Sequence, residues 1–201
     1  PRGNVSRFGG DDIRAYMSKR YTADNIVISM AGNIDVNLAE ELAEKYFSSV
    51  PAAKKDERKV VVAPKHNSIV RYKDIEQVHL AMGFPSVKRY DRLYDATMVM
   101  NSVLGGSMSS RLFQTVREKL GLAYTVYSYC TSYADTGTLV VYAGVNSENY
   151  MKSVEAINKC IADIKRKDIS KEEFLRGKEQ LKASSIFAQE STSSQMLLYG
   201  K

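Results

Sequence analysis

"LGGSMSSRLFQTVREKLGLAYTVYS", residues 104–128, is the stretch that decides how the chain is read. Leu112, Phe113, Val116 and Leu120 recur at helical spacing and give the segment an apolar stripe. Arg117 lies one turn after Phe113 at the border of that stripe, in the last turn, where the helix dipole favours a cation. Gly121 ends the helix, and Tyr124 opens a β-type run. Gly105 and Gly106 are expected to close the preceding helix in a left-handed turn, with Ser107 or Ser109 capping the next. They look only loosely like a phosphate loop, because the G-x-x-x-x-G-K-[ST] pattern is missing and they follow a helix rather than a strand. Tyr124 is expected on the same side of its strand as Leu122 and Val126, its ring packed and its hydroxyl reaching a polar partner. Spacing alone leaves two readings of Arg117 and Tyr124 open. They can be a structural hydrogen-bonded pair, which the local physics favours, or a grip on a peptide-like ligand, since a guanidinium binds carbonyls and carboxylates well.

Outward from this segment the chain alternates short helices and strands. Asp11 and Asp12 sit at the positive end of an amphipathic helix carrying Ile13, Tyr16 and Met17. The β-branched run 25–30 predicts a buried strand, closed by a turn at Gly32. Asp35 caps a second helix, with Leu38, Ala39, Leu42, Ala43, Tyr46 and Phe47 on one stripe. Residues 51–64 read as a connection with one edge strand at Val60, Val61 and Val62. A hairpin-like pair is expected over 68–73 and 77–82, and a helix capped by Asp91 leads to Leu104. Strands 122–132 and 138–145 are joined through Ala134, Asp135, Thr136 and Gly137, a hairpin turn. Two helices close the chain, the second opened by a Ser170/Glu173 capping box and packing through Phe174, Leu181 and Ile186. Locally paired strands and grouped helices predict an α+β layer, an antiparallel sheet covered on one face.

Composition limits the function classes. The 201 residues are 44% apolar, ample for a core, and carry a net charge of +6 that any ordinary basic enzyme shows. Bases and acids alternate in the densest charged run, residues 54–59, so it reads as a solvated linker. Cys130 and Cys160 stand outside any C-x-x-C pattern and read as reduced, partly buried thiols. His66 and His79 make no helix-borne metal pair, and no H-E-x-x-H or H-x-x-E-H motif occurs, so no metal is expected in this chain. No apolar stretch reaches the roughly 18 residues of a membrane span. Neither nucleic acid nor membrane is therefore an expected partner; a basic RNA binder survives as an outlying alternative through Tyr127 and Tyr129. Pro1 in place of a methionine, and an end soon after helical sequence, suggest a piece of a longer polypeptide.

The ordered motifs resemble the pitrilysin/insulinase group of zinc peptidases, especially its mitochondrial processing peptidase-like branch. The segment 104–128 is similar to the signature of the non-zinc domain, "YTADNIVISMAGNID" (21–35) to the Tyr-x-x-x-Asn, apolar strand and Gly-(Asp/Asn)-(Ile/Val)-Asp run, and "EQVHLAMGFPS" (76–86) to the strand before the signature helix. The resemblance implies a processing-peptidase-like metallohydrolase fold, a two-layer α+β unit of mostly antiparallel sheet and flanking helices. It implies that residues 1–53 end the first, zinc-bearing domain, that 54–65 link the two, and that 66–201 are most of the second. It implies no catalytic residue and no cofactor in this chain, with zinc bound by the full-length parent upstream. Arg117 and Tyr124 match the family's substrate-binding Arg and Tyr. The implied partners are a peptide substrate, the remainder of the parent chain, and a homodimeric or paired homologous subunit. The expected function is that of a fragment of a zinc metalloendopeptidase that positions peptide and is inactive alone. The alternative is a non-catalytic structural or substrate-presenting homologue.

Overall fold

The computed structural model describes residues 2–53 and 65–200. By contact they group into two units, one drawn from Pro1–Lys59 with Ile186–Lys201, the other from Val60–Ser185. The expected edge strand at Val60, Val61 and Val62 and most of the charged linker lie outside the described residues.

The second unit holds a sheet of β1 (Val78–Ser86), β2 (Ala123–Ser132) and β3 (Gly137–Val145) in the order β1-β3-β2, every pairing antiparallel. The hairpin expected between β2 and β3 forms as read: Ser132 pairs with Gly137, and the Tyr133 N–H donates to the Thr136 carbonyl at 2.7 Å. Period-two alternation sends Val78, Leu80, Met82 and Phe84 of β1 toward Val141, Ala143 and Val145 of β3. Onto that face pack Leu104 at the end of α4 (Tyr94–Leu104), Leu112, Val116, and Ala156, Ile157 and Cys160 of α5 (Tyr150–Arg166). Leu112, Val116, Val141 and Ile157 are fully buried, each stabilising the unit by about 1.5–3 kcal/mol. Both thiols are free, and burial raises the pKa of each.

α6 (Lys171–Gln189) opens on the expected capping box: the Glu173 N–H donates to Ser170 Oγ at 3.2 Å, and the Ser170 N–H donates to Glu173 Oε2 at 2.9 Å. Its packing face differs from the expected one. Phe174 and Ile186 are exposed and Leu181 is half-buried, whereas Gly177 is buried, facing Ser102 and Val103 at ordinary van der Waals distance. Glu173 accepts from Arg111 through both oxygens, Nε to Oε1 at 2.7 Å and Nη2 to Oε2 at 2.8 Å. These hydrogen bonds hold the Glu173 carboxyl down at about 2. A depressed carboxylate pKa stabilises the fold fully above the unfolded value and loses that contribution as pH falls toward 2. Both side chains are only one-fifth exposed, so Glu173→Gln should cost about 2 kcal/mol at pH 7 in urea unfolding. It should also flatten the fall in stability between pH 4.5 and 2; a variant whose pH curve parallels the native one would remove this account.

The described part of the first unit contains α1 (Arg2–Val5), α2 (Gly10–Arg20), α3 (Val36–Phe47) and α7 (Thr192–Tyr199). Asp35 caps α3 as read, accepting from the Leu38 N–H at 2.9 Å. The strand expected over 25–30 is not formed. Ile26 is extended (φ −107°, ψ 131°), but no described segment pairs with the run, and Val27 is 73% exposed. An extended segment becomes a strand only when a neighbour takes its N–H and C=O groups. Instead Ser29 Oγ donates to the Met196 carbonyl of α7 at 2.7 Å. α7 itself is a third closing helix where two were expected. The segment and α3 leave a mostly apolar groove of about 300 Å³ lined by Ile28, Met30, Ile34, Val36, Ala39 and Ala43, with Glu40 among them. The first arm of the other expected hairpin, 68–73, likewise stays outside the sheet, with Val70 and Tyr72 about nine-tenths exposed.

Candidate functional site

Arg117 and Tyr124 are brought to one place by two local departures from regular structure. Residues Phe113–Lys119 form a π-helix, closed where the Leu120 N–H reaches back to the Thr115 carbonyl at 3.1 Å. Gly121, at φ +59°, then turns the chain left-handed, and its N–H donates to the Arg117 carbonyl at 3.1 Å. The Leu122 N–H takes the Val116 carbonyl at 2.9 Å, so the helix end is satisfied by backbone and the Arg117 side chain is left to act outward.

The second departure is a β-bulge between Ala123 and Thr125, where Ala123 pairs with Val145 and Thr125 with the adjacent Gly144. Tyr124 is the inserted residue. In an unbroken strand it shares a face with Val126, as read from the sequence, and that expectation is wrong here. Ala123 and Val126 are both buried while Tyr124 is 74% exposed, because one extra residue reverses the alternation and re-aims the side chain.

The guanidinium carbon of Arg117 stands 4.8 Å from the centroid of the Phe113 ring and 6.0 Å from that of Tyr124. Two aromatic neighbours at such distances orient a cation while leaving its N–H groups free to donate. Among the described residues no hydrogen bond joins Arg117 to Tyr124, so they are not the hydrogen-bonded pair that spacing favoured. Among the described residues the acid within 4 Å of Arg117 is Glu118, its Oε1 3.8 Å from Arg117 Nε, an exposed pair worth little. The arrangement can hold a carbonyl or carboxylate but offers no positioned base. Among the described residues no group of three or more His, Cys, Asp or Glu could hold a metal ion. His79 is a strand residue of β1 and shares a 2.6 Å hydrogen bond, Nδ1 to Oη, with Tyr142. The residues here therefore do not fit a zinc ion.

The glycines before the π-helix serve contact rather than conformation. Gly105 (φ −157°, ψ 9°) is not left-handed, and its carbonyl accepts from the Ser128 N–H of β2 at 3.0 Å. Ser110, rather than Ser107 or Ser109, begins the following helix: its carbonyl takes the Gln114 N–H at 2.9 Å, and it is buried. Sequence reasoning does not single out Phe113 as a ring beside Arg117, although its position one turn before Arg117 is the available signal.

This geometry and topology coincide with a known group of proteins. Residues 7–181 match the family described as the peptidase M16 inactive domain, and the chain belongs to that family, part of the pitrilysin/insulinase group. A Bacillus subtilis (strain 168) protein named uncharacterized zinc protease YmxG is 42% identical over 200 residues, 98% of this chain and 48% of its own length. A Rickettsia felis protein named an uncharacterized zinc protease is 35% identical over 202 residues, again 98% of this chain and 48% of that one. The chain thus spans about half the length of the curated relatives it matches. The crystal structure of a peptidase M16 inactive domain from Pseudomonas fluorescens superposes with a TM-score of 0.80 at 24% identity, covering 96% of this chain and 46% of that one. A protease structure from Helicobacter pylori gives 0.78 at 21% identity, covering 98% and 50%. These likenesses carry the fold, an α+β arrangement of helices on an antiparallel sheet. No helix of the described residues is long and apolar enough to cross a membrane.

Proposed function

We propose that this chain is the substrate-holding half of a zinc metalloendopeptidase, and that Arg117 and Tyr124 grip a backbone carbonyl of the peptide while a metal bound by the remainder of the parent chain hydrolyses it. The observation that supports this most is the exposure of the two side chains side by side at a π-helix end and a β-bulge, both of which recur at functional sites. Their contribution is orientation and stabilisation of developing charge on the carbonyl oxygen, without proton transfer. The relatives' description as zinc proteases supports the metal, and their double length supports its residence elsewhere. In the same reading residues 1–53 end the zinc-bearing domain, 54–65 link, and 66–201 form most of the second. The apolar groove beside α3 is then covered by the rest of that first domain. A homodimer or a paired homologous subunit is the assembly in which the grip serves a zinc across an interface.

A non-catalytic, substrate-presenting subunit would use the same grip and differ only in the missing ligands. Chelation separates the two. Peptide hydrolysis by the full-length protein should disappear on removal of metal and return with zinc, whereas peptide binding with no hydrolysis at any zinc concentration would establish the presenting subunit. Hydrolysis that survives complete removal of metal would sink the peptidase reading.

A further inference from the structure

The face of the sheet turned away from the helices carries no Asp, Glu, Lys or Arg on any of its three strands. Cross-strand partners share a face; Tyr127 lies opposite Tyr142 and Tyr142 opposite Ala81, while Tyr129 lies opposite Val140 and Val140 opposite Gly83. His79, Thr125, Thr131, Thr138 and Pro85 complete the same rows. An antiparallel sheet face open to water is ordinarily rich in charged and polar residues. Here the rings of Tyr127 and Tyr142 are 5.0 Å apart, those of Tyr127 and Tyr129 6.1 Å, and those of His79 and Tyr142 6.1 Å. Tyr127 and Tyr129 remain 41% and 44% exposed, and His79 is exposed. The patch is contiguous, aromatic and neutral, in a chain of which 26% is charged.

The geometry points to this face as an extended subsite for neutral peptide segments carrying an aromatic or branched apolar residue, continuous with the Arg117–Tyr124 grip. It rests on the reading of that grip given above and adds the class of peptide it takes. Continuity is the first support: the exposed side of β2 runs Tyr124, Tyr127, Tyr129, and Tyr124 is the ring beside Arg117. At about 3.3 Å per residue these tyrosines span roughly 16 Å, the length of about five extended residues. A peptide whose carbonyl is held at Arg117 therefore lays the residue about three positions away over the Tyr127–Tyr142 pair and the one about five away over Tyr129. Charge is the second support. A nucleic acid also stacks on tyrosines, but its phosphates need cations along the path, and this face offers none. A peptide backbone needs only hydroxyl and ring surfaces, which tyrosine supplies at low conformational cost.

The test uses the full-length protein and fluorescein-labelled neutral decapeptides of Ser, Ala and Gly in which one Phe is walked along the sequence, with Kd read from fluorescence anisotropy under metal-free conditions. One window of Phe positions should tighten binding about tenfold. Tyr127→Thr with Tyr142→Thr, which put strand-favouring β-branched residues in place of the rings, should erase the window, and Tyr127→Phe should keep it. Arg117→Ala should weaken every peptide alike and leave the window in place. A flat profile in the wild-type protein, or a window unmoved by the double threonine variant, overturns the subsite even where Arg117→Ala still weakens binding. If instead Arg117→Ala leaves all affinities unchanged, the grip itself fails. Salt-dependent binding of a single-stranded oligouridylate that the threonine variant abolishes would make nucleic acid the occupant and overturn the proposal.

Discussion

Arg117→Ala in the full-length protein should lower kcat/KM for peptide hydrolysis by about two orders of magnitude, the usual loss when one donor to a developing oxyanion is removed. The argument is geometric. The guanidinium lies near both the Phe113 and Tyr124 rings and makes no hydrogen bond to another described residue, so its donors are available to a ligand. Removing it sacrifices only an exposed cation–π contact of about 0.5–1 kcal/mol, and the folding midpoint should hardly move. Arg117→Lys should recover little, because an ammonium has neither the planar fork nor the stacking surface that the two rings select. Unchanged kcat and KM in the alanine variant would show that the pair plays no part in catalysis. A rise in KM at constant kcat would restrict Arg117 to ground-state binding.

Gly105→Ala should destabilise the second unit by about 2–4 kcal/mol, combining overpacking with loss of a backbone hydrogen bond. A Cβ there would lie 2.5 Å from Ser128 Oγ, 2.6 Å from Ser128 N and 2.9 Å from Leu112 Cδ1. The obstructing nitrogen is backbone in the middle of β2, and Leu112 is fully buried, so neither can yield cheaply. Ser128 is also tied to Asn101 Oδ1 through its hydroxyl at 2.8 Å, which fixes β2 against α4. Gly83→Ala is the control: nothing lies within 4 Å of its added Cβ, and its cost should stay within about 0.5 kcal/mol. The denaturation midpoints of the two variants check the contrast, and equal midpoints would refute the close-contact role. Because Tyr124 is carried on the same strand, the Gly105 variant should also lose peptide affinity in proportion to any shift of β2.

Much of this arrangement was readable from local chemistry. Asp35, the Ser170/Glu173 box and the Tyr133–Thr136 turn are decided by side chains and backbone within a few residues, and each forms as its sequence dictates. Gly121 ends its helix at a positive φ for the same reason. The segment 25–30 shows the limit: β-branched residues make it extended, yet pairing depends on a neighbour that its own sequence does not name. Gly105 shows the same limit, since a glycine required by a contact with β2 looks identical in sequence to one required by a left-handed turn.

The sequence by itself determined the family, the antiparallel α+β class and the identity of the two candidate residues, because motif order and hydrophobic period are written along the chain. Only the tertiary structure decided that Arg117 and Tyr124 face solvent together and that the far side of the sheet is a neutral aromatic surface. A bulge of one residue inverts every side chain beyond it, and whether it occurs depends on the register with β3, a long-range pairing that no local pattern encodes.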